Sequence, residues 1–220
     1  MNPIFSTILA VHIAAGVIAV ILGLLPVFSR KGGALHRKTG RIYAVVMTVV
    51  LAAAWAMTLM RFQPYFAALS ATATLQLFSG LRVLRRKRPD LNREERARPL
   101  DCLVTGGVLA TGLWILHLVS TGTAVASPAI AYSLAGSAIV YAGYDLWRFV
   151  APTAFPFFPR LWLFEHLVKM FGAYAAVMSA FAGNFAPIFP EPLRQLWPII
   201  LFQVLTVVFI VRHARRRTAA

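Results

Sequence analysis

His12, His36, His117 and His166 each stand inside or beside a long apolar stretch of the chain, where an ionisable side chain is costly and usually faces a cavity, a partner or a ligand. Imidazoles spread over several apolar segments suit haem b: neutral rings from different helices at one depth serve as axial ligands, and two such pairs make an electron path across a bilayer. Counting residues along the segments pairs His12 with His117 and His36 with His166, and places Arg37 or Arg41 to offset haem propionates with Tyr43 nearby. A second chemistry groups His36 and His166 with Asp101, Asp145 and Glu165, a donor set suited to zinc or iron and a metal-bound water. A third needs no cofactor. Asp145, Glu165, His166 and Lys169 in one cavity could relay protons or bind an ion in a proton-coupled or small-solute transporter, and Asp145, Glu165 and Lys169 are also the groups a catalytic role would draw on.

Each residue also has a plainer use. Glu165 and Lys169 stand four apart in the favourable order for an ion pair on one helix, and Asp145 could pair with Arg148 one turn on. Asp101 sits where a carboxylate stabilises a helix N-terminus. His117, near the end of its segment, could bond Ser120, Thr121 or water. His12 has no partner in its own segment, which makes it the strongest functional candidate of the four. Cys102, the single cysteine, can form neither an internal disulfide nor a cysteine-based cluster and reads as a packing residue.

The elements that position these groups follow from composition. With 59% hydrophobic and 13% charged residues and a mean hydropathy of +0.71, there is too little polar surface to cover a soluble globule. A helix needs ~20 mostly apolar residues to cross a bilayer. The sequence predicts an all-α, polytopic membrane helix bundle of seven spans: Pro3 to Val27, Ile42 to Met60, Tyr65 to Leu84, Leu100 to Val119, Pro128 to Trp147, Leu161 to Asn184 and Leu196 to Val211. The third and fifth are the least apolar, being rich in Ala, Ser, Thr and Gly, the small residues that helices use to approach one another in lipid. On this reading His36 stands just before the second span, Asp101 opens the fourth, Asp145 closes the fifth and His166 begins the sixth. Residues 1–220 form one domain, without an internal repeat or low-complexity linker. The first span lacks a positive leader and is expected to be a retained helix.

A net charge of +15 raises nucleic acid as a partner, but the basic residues fall in short runs between apolar segments rather than along one stripe, which argues against it. Those runs follow the first span (Arg30, Lys31, Arg37, Lys38, Arg41), the third (Arg82 to Arg98) and the seventh (Arg212 to Arg217), while the other side carries only Arg61 and Arg194. Seven crossings bring the basic runs to one face, so the chain is expected to sit with its N-terminus outside and its C-terminus in the cytoplasm. Trp147 and Trp162 then fall at inner helix ends, and Trp55 and Trp197 near outer ones. Anionic lipids of the inner leaflet are natural partners for the basic loops. There is no Gly-rich phosphate loop, no GxSxG and no CxxC.

The most distinctive stretch is KGGALHRKTGRIYAVVM, residues 31–47, in which His36, Gly40 and Tyr43 share one helical face. Gly32 and Gly33 permit a reversal, and Gly40 would admit a neighbouring helix or a planar ligand. Together with VHIAAGVIAVILG and FEHLVKMFGAYAAVMSAFAGN it resembles the bacterial membrane proteins grouped as domain of unknown function 2306. The resemblance spans most of the chain. It implies a multi-pass bundle of the bacterial inner (cytoplasmic) membrane, with site positions at His12, at His36, Gly40, Arg41 and Tyr43, and at His166 and Met170, and it implies no particular reaction. The spread of histidines over helices is also similar, by analogy, to two-haem membrane cytochromes, whose electron partners include quinones.

Overall fold

The computed structural model describes residues 2–123, 128–185, 189–190 and 193–215, with side chains described as far as 212. Seven α-helices follow one another: α1 (Pro3–Phe28), α2 (Ala34–Met60), α3 (Pro64–Arg82), α4 (Pro99–Ser120), α5 (Pro128–Val150), α6 (Leu161–Phe185) and α7 (Leu193–Arg215). Two 3-10 turns, Val83–Arg85 and Arg93–Glu95, lie between α3 and α4, and no strand occurs among the described residues.

Local chemistry sets the helix ends. The Asn2 side chain accepts the Ile4 N–H at 3.0 Å, and Pro3 occupies the first turn of α1, where its missing N–H costs nothing. At the other end, Lys31 Nζ donates to the carbonyls of Pro26 and Val27, at 2.7 and 2.6 Å, supplying donors to groups that lack them. Gly32, at φ 76, then makes the reversal expected of it. The difference from expectation is the start of α2, which begins at Ala34 rather than Ile42 and takes His36 into its first turn. Hydropathy locates the apolar part of a helix, whereas Arg37, Lys38 and Arg41 are good helix formers and extend it in the polar direction.

The helix at the centre is α3, which packs against α2, α4, α5 and α6. Sixty-seven per cent of its most apolar stretch is buried, against 17% for α1 and for α7. The small residues that made it look weak as a span are what let it sit there: Ala67, Ala68, Ala71, Ser79 and Gly80 are all buried. Around it, α1 packs on α2 and α6, α4 on α5, and α6 on α7. Cys102, expected to pack inside, is exposed on α4.

Among the described residues five helices, α1, α2, α3, α4 and α7, are long and apolar enough to cross a membrane. With 23 and 25 residues, α5 and α6 have the length. Their hydropathy is lowered by Asp145 and Arg148 on one and Glu165 and Lys169 on the other.

Tight approaches at Gly23 and Gly172 help hold the bundle. A methyl on Gly23 would stand 2.3 Å from the Tyr174 ring, which packs edge-on against Tyr43 at 6.0 Å and donates its hydroxyl to Val20 O at 2.7 Å. A methyl on Gly172 would stand 2.7 Å from the Gln76 amide. Gly23→Val and Gly172→Val are each expected to lower the unfolding midpoint of the detergent-purified protein, at a cost of about 1–3 kcal/mol. Gly106→Ala, where a methyl meets nothing within 4 Å, should leave it unlowered. A Gly23→Val protein as stable as the parent would contradict the α1–α6 contact.

Candidate functional site

The acidic residues expected on α4, α5 and α6 are all engaged, but Asp145 and Glu165 not with the partners that spacing suggested. Lys169 Nζ reaches across α3 to Asp145 Oδ1 at 2.6 Å and to Ser79 Oγ at 2.7 Å, and Ser79 Oγ donates to Asp145 Oδ2 at 2.5 Å, closing a ring. Asp145 and Lys169 are 1% and 4% exposed. Glu165, expected to pair with Lys169, instead accepts the Tyr144 hydroxyl at 2.7 Å and lies 3.5 Å from Arg148 Nε. The reason is burial: an i,i+4 pair contributes a few tenths of a kcal/mol on a wet surface, whereas a charge inside the bundle must take the nearest opposite charge.

Asp101 does stabilise the N-terminus of α4, accepting the Arg98 N–H at 2.8 Å. It is also fully buried and held by Arg82 through two parallel bonds of 2.8 and 2.7 Å. Beside these groups, burial pulls the Arg86 guanidinium below its usual value, opposed by the charges of Asp101, Asp145 and Glu165.

The five residues grouped for a metal, His36, His166, Asp101, Asp145 and Glu165, do not converge. No group of three His, Cys, Asp or Glu that could hold a metal occurs among the described residues. Asp101 is taken by Arg82, Asp145 by Lys169, and Glu165 by Tyr144 and Arg148.

Three histidines share one arrangement. Nδ1 of His12 lies 3.0 Å from Val50 O, Nδ1 of His36 3.2 Å from Pro26 O, and Nδ1 of His166 2.7 Å from Gly80 O. A carbonyl oxygen only accepts, so in the neutral ring Nδ1 carries the proton and Nε2 is left with its lone pair, the form in which imidazole binds a metal. His117 is different: it is exposed on α4, where its own carbonyl accepts the hydroxyls of Ser120 and Thr121 at 2.8 and 2.9 Å. Because α1 packs on α2 and α6 while α4 packs on α3 and α5, His12 and His117 lie on helices with no shared neighbour.

Of the other expected residues, Arg37 and Arg41 are exposed, and Arg37 donates to Gly32 O at 2.5 Å. A methyl on Gly40 would meet nothing within 4 Å, so no helix approaches there. Tyr43 is 2% exposed, packed against Gly23 of α1 and the Tyr174 ring of α6, with a hydroxyl that finds no partner.

His12 lines a cavity of ligand size. A cavity of about 410 Å³ lies between α1, α2, α3 and α6, with His12, Gly16, Met47, Ala73 and Val177 around its inner part and Arg61, Gln63 and Asn184 toward the helix ends. The rest of the lining is mostly aliphatic or aromatic, including Phe5, Phe66 and Phe181, with the hydroxyl residues Thr58 and Ser70 among it. The Arg61 guanidinium stacks over the Phe5 ring at 4.4 Å and pairs with no carboxylate among the described residues. Arg61, Met47, Ser79 and Tyr144 did not stand out in the sequence. Ser79 carried a usable signal, as a polar residue on a helix too apolar to be a loop.

No family model, no curated protein and no solved structure matches the chain.

Lys169→Met leaves Asp145 buried without its counter-ion and is expected to destabilise the protein by about 3–5 kcal/mol. Adding Asp145→Leu should recover most of that loss, because a buried pair can be replaced by apolar groups at little net cost. Thermal unfolding of the three proteins in one detergent checks this, and a double variant no more stable than the single one would show that the ring is not the stabilising unit.

Proposed function

We propose that the chain is a seven-span protein of the bacterial inner membrane, allied to the domain of unknown function 2306 proteins it resembles, that binds haem b in the cavity at His12 and passes electrons to a quinone or another redox partner. The observation that carries the reading is His12, its Nδ1 held at Val50 O, in the lining of a cavity of about 410 Å³, within the ~300–1,000 Å³ range of small-molecule sites. A hydrogen bond from Nδ1 to a backbone carbonyl fixes the ring and raises its basicity, as metal-ligating histidines require.

The lining fits a flat apolar group with one anionic edge. Phe5 precedes His12 by two helical turns, or ~10 Å, and the guanidinium stacked on Phe5 offers its charge at that end. Arg61 thus takes the propionate role first given to Arg37 or Arg41. Met47 lines the same cavity, and its thioether and the His12 imidazole would be the protein groups able to hold the iron of a bound haem.

Topology supports the placement. With all seven helices crossing, the basic segments after α1 and α3 and the end of α7 would share one face, which the positive-inside bias makes the cytoplasmic one, facing anionic lipid. The His12 cavity opens toward the other face.

The test is a dithionite-reduced minus oxidised absorption spectrum of protein expressed with ample haem. Sharp Soret and alpha bands are expected, lost in His12→Ala and retained in His117→Ala and His166→Ala. A spectrum without those bands would end the haem reading, and bands that survive His12→Ala but not His166→Ala would move the site to the cytoplasmic side.

A further inference from the structure

Below the cavity, the bundle interior holds a buried amide whose oxygen bonds to nothing. Gln76 is 2% exposed, its Oε1 finds no hydrogen-bond partner, and its amide lies against Gly172 of α6. A buried amide oxygen without a donor costs about 1–3 kcal/mol, so a use for it is expected.

Its position is informative on both helices. Along α3, Gln76 is three residues from Ala73, which lines the cavity, and three from Ser79, which bridges Lys169 and Asp145. Along α6, Gly172 is three residues from Lys169 and four from Ala176, which also lines the cavity. Each step of three is about 4.5 Å of rise, the reach of one water molecule between two polar groups.

On its far side the Lys169–Asp145 pair meets a pocket of about 30 Å³, lined by Arg86, Arg148 and Glu165 as well as by the pair itself. That is room for about two waters. Arg86 Nε and Arg148 Nε are buried there without hydrogen-bond partners, and water would satisfy them.

We infer that these features form a proton path from the face carrying the basic loops to the cavity: pocket water, the Lys169–Asp145–Ser79 ring, a water held at Gln76 Oε1, and the cavity floor. Lys169 ammonium gives one proton to the water at Gln76 and is left as an amine, Asp145 and Ser79 holding it in place. The amine then takes one proton from pocket water, and the hydroxide left there is reprotonated by one proton from bulk solvent. One proton enters for each that leaves, and no oxidant is needed. The ionisable groups around Lys169 are Asp145, Tyr144 and Arg148 from α5, Glu165 and His166 from α6, and Arg86 after α3. Glu165 is the acid best placed to supply the pocket, since only Tyr144 bonds it closely.

The path does not depend on what fills the cavity, so haem content and proton movement can fail separately. The experiment reconstitutes the full chain in vesicles loaded with a pH-sensitive dye and imposes a potassium diffusion potential with valinomycin. Proton entry faster than in protein-free vesicles is expected for the wild type. It should fall to the protein-free rate in Gln76→Leu, which keeps the volume and removes no hydrogen bond from Oε1, and should persist in Gln76→Glu. Lys169→Met with Asp145→Leu should also abolish it, without leaving a lone buried charge. Wild-type vesicles no faster than protein-free ones, or a Gln76→Leu protein as fast as wild type, would overturn the path. The Soret band of the same vesicles reports on haem independently.

Discussion

Placing a lysine and an aspartate inside an apolar bundle is the constraint on which the rest of the arrangement depends. Each ion loses several kcal/mol of hydration on burial, and attraction offsets that only where the geometry is close and the remaining donors are filled. Lys169 and Asp145 lie on α6 and α5, which both pack on α3, so the pair must be made across α3. That requires α3 to be narrow and to carry a hydroxyl at the crossing, and Gly80 and Ser79 provide both. A methyl on Gly80 would stand 3.1 Å from Lys169 Cβ, so a larger residue would push the lysine stem away from its partner. The hydroxyl of Ser79 accepts from Lys169 and donates to Asp145, which uses both of its capacities in one ring.

The same requirement explains why the helix with the lowest apolar content among the five membrane-capable ones occupies the centre. In water the most apolar helix is buried, but in lipid the surroundings are as apolar as leucine and nothing drives Leu-rich faces inward. The Leu-, Ile- and Val-rich α1 and α7 therefore stay at the periphery, while α3 exchanges side-chain bulk for close contact on four sides.

Much of this architecture was readable from residue types. Apolar runs located all seven helices, and six of them begin within three residues of the expected position. The exception, α2, has a first two turns made of residues that form helix well and carry charge, so hydropathy was blind to them. The site was less legible. That Asp145, Glu165 and Lys169 matter followed from their cost in an apolar segment, yet their pairing depended on which helices flank α3, and a single sequence contains no record of helix neighbours. His12 was identified for lacking a partner in its own helix, and the partner lies on α2. Pairing His12 with His117 by depth failed for the same reason: two residues at one level of a bundle can be separated by its full width.

The cavity beside His12 is itself a consequence of those neighbours. In its burying face α1 has Ala15, Ala19 and Gly23, and these bring it close to α2 and α6 along its inner half. Toward its N-terminus the face continues as His12, Leu9 and Phe5, side chains too large for the same approach, while Gly16 leaves open space beside them. The helices are thus drawn together at one end by glycine and alanine and held apart at the other by an imidazole and an aromatic ring. A void of that size in lipid-like surroundings loses dispersion contacts on every wall, and alanine at His12 would enlarge it rather than close it. The tyrosine packing of the inner half is what permits the outer half to remain open: Tyr43 and Tyr174 fix α1, α2 and α6 at Gly23 and Val20, so the cavity walls cannot collapse toward each other without breaking that contact.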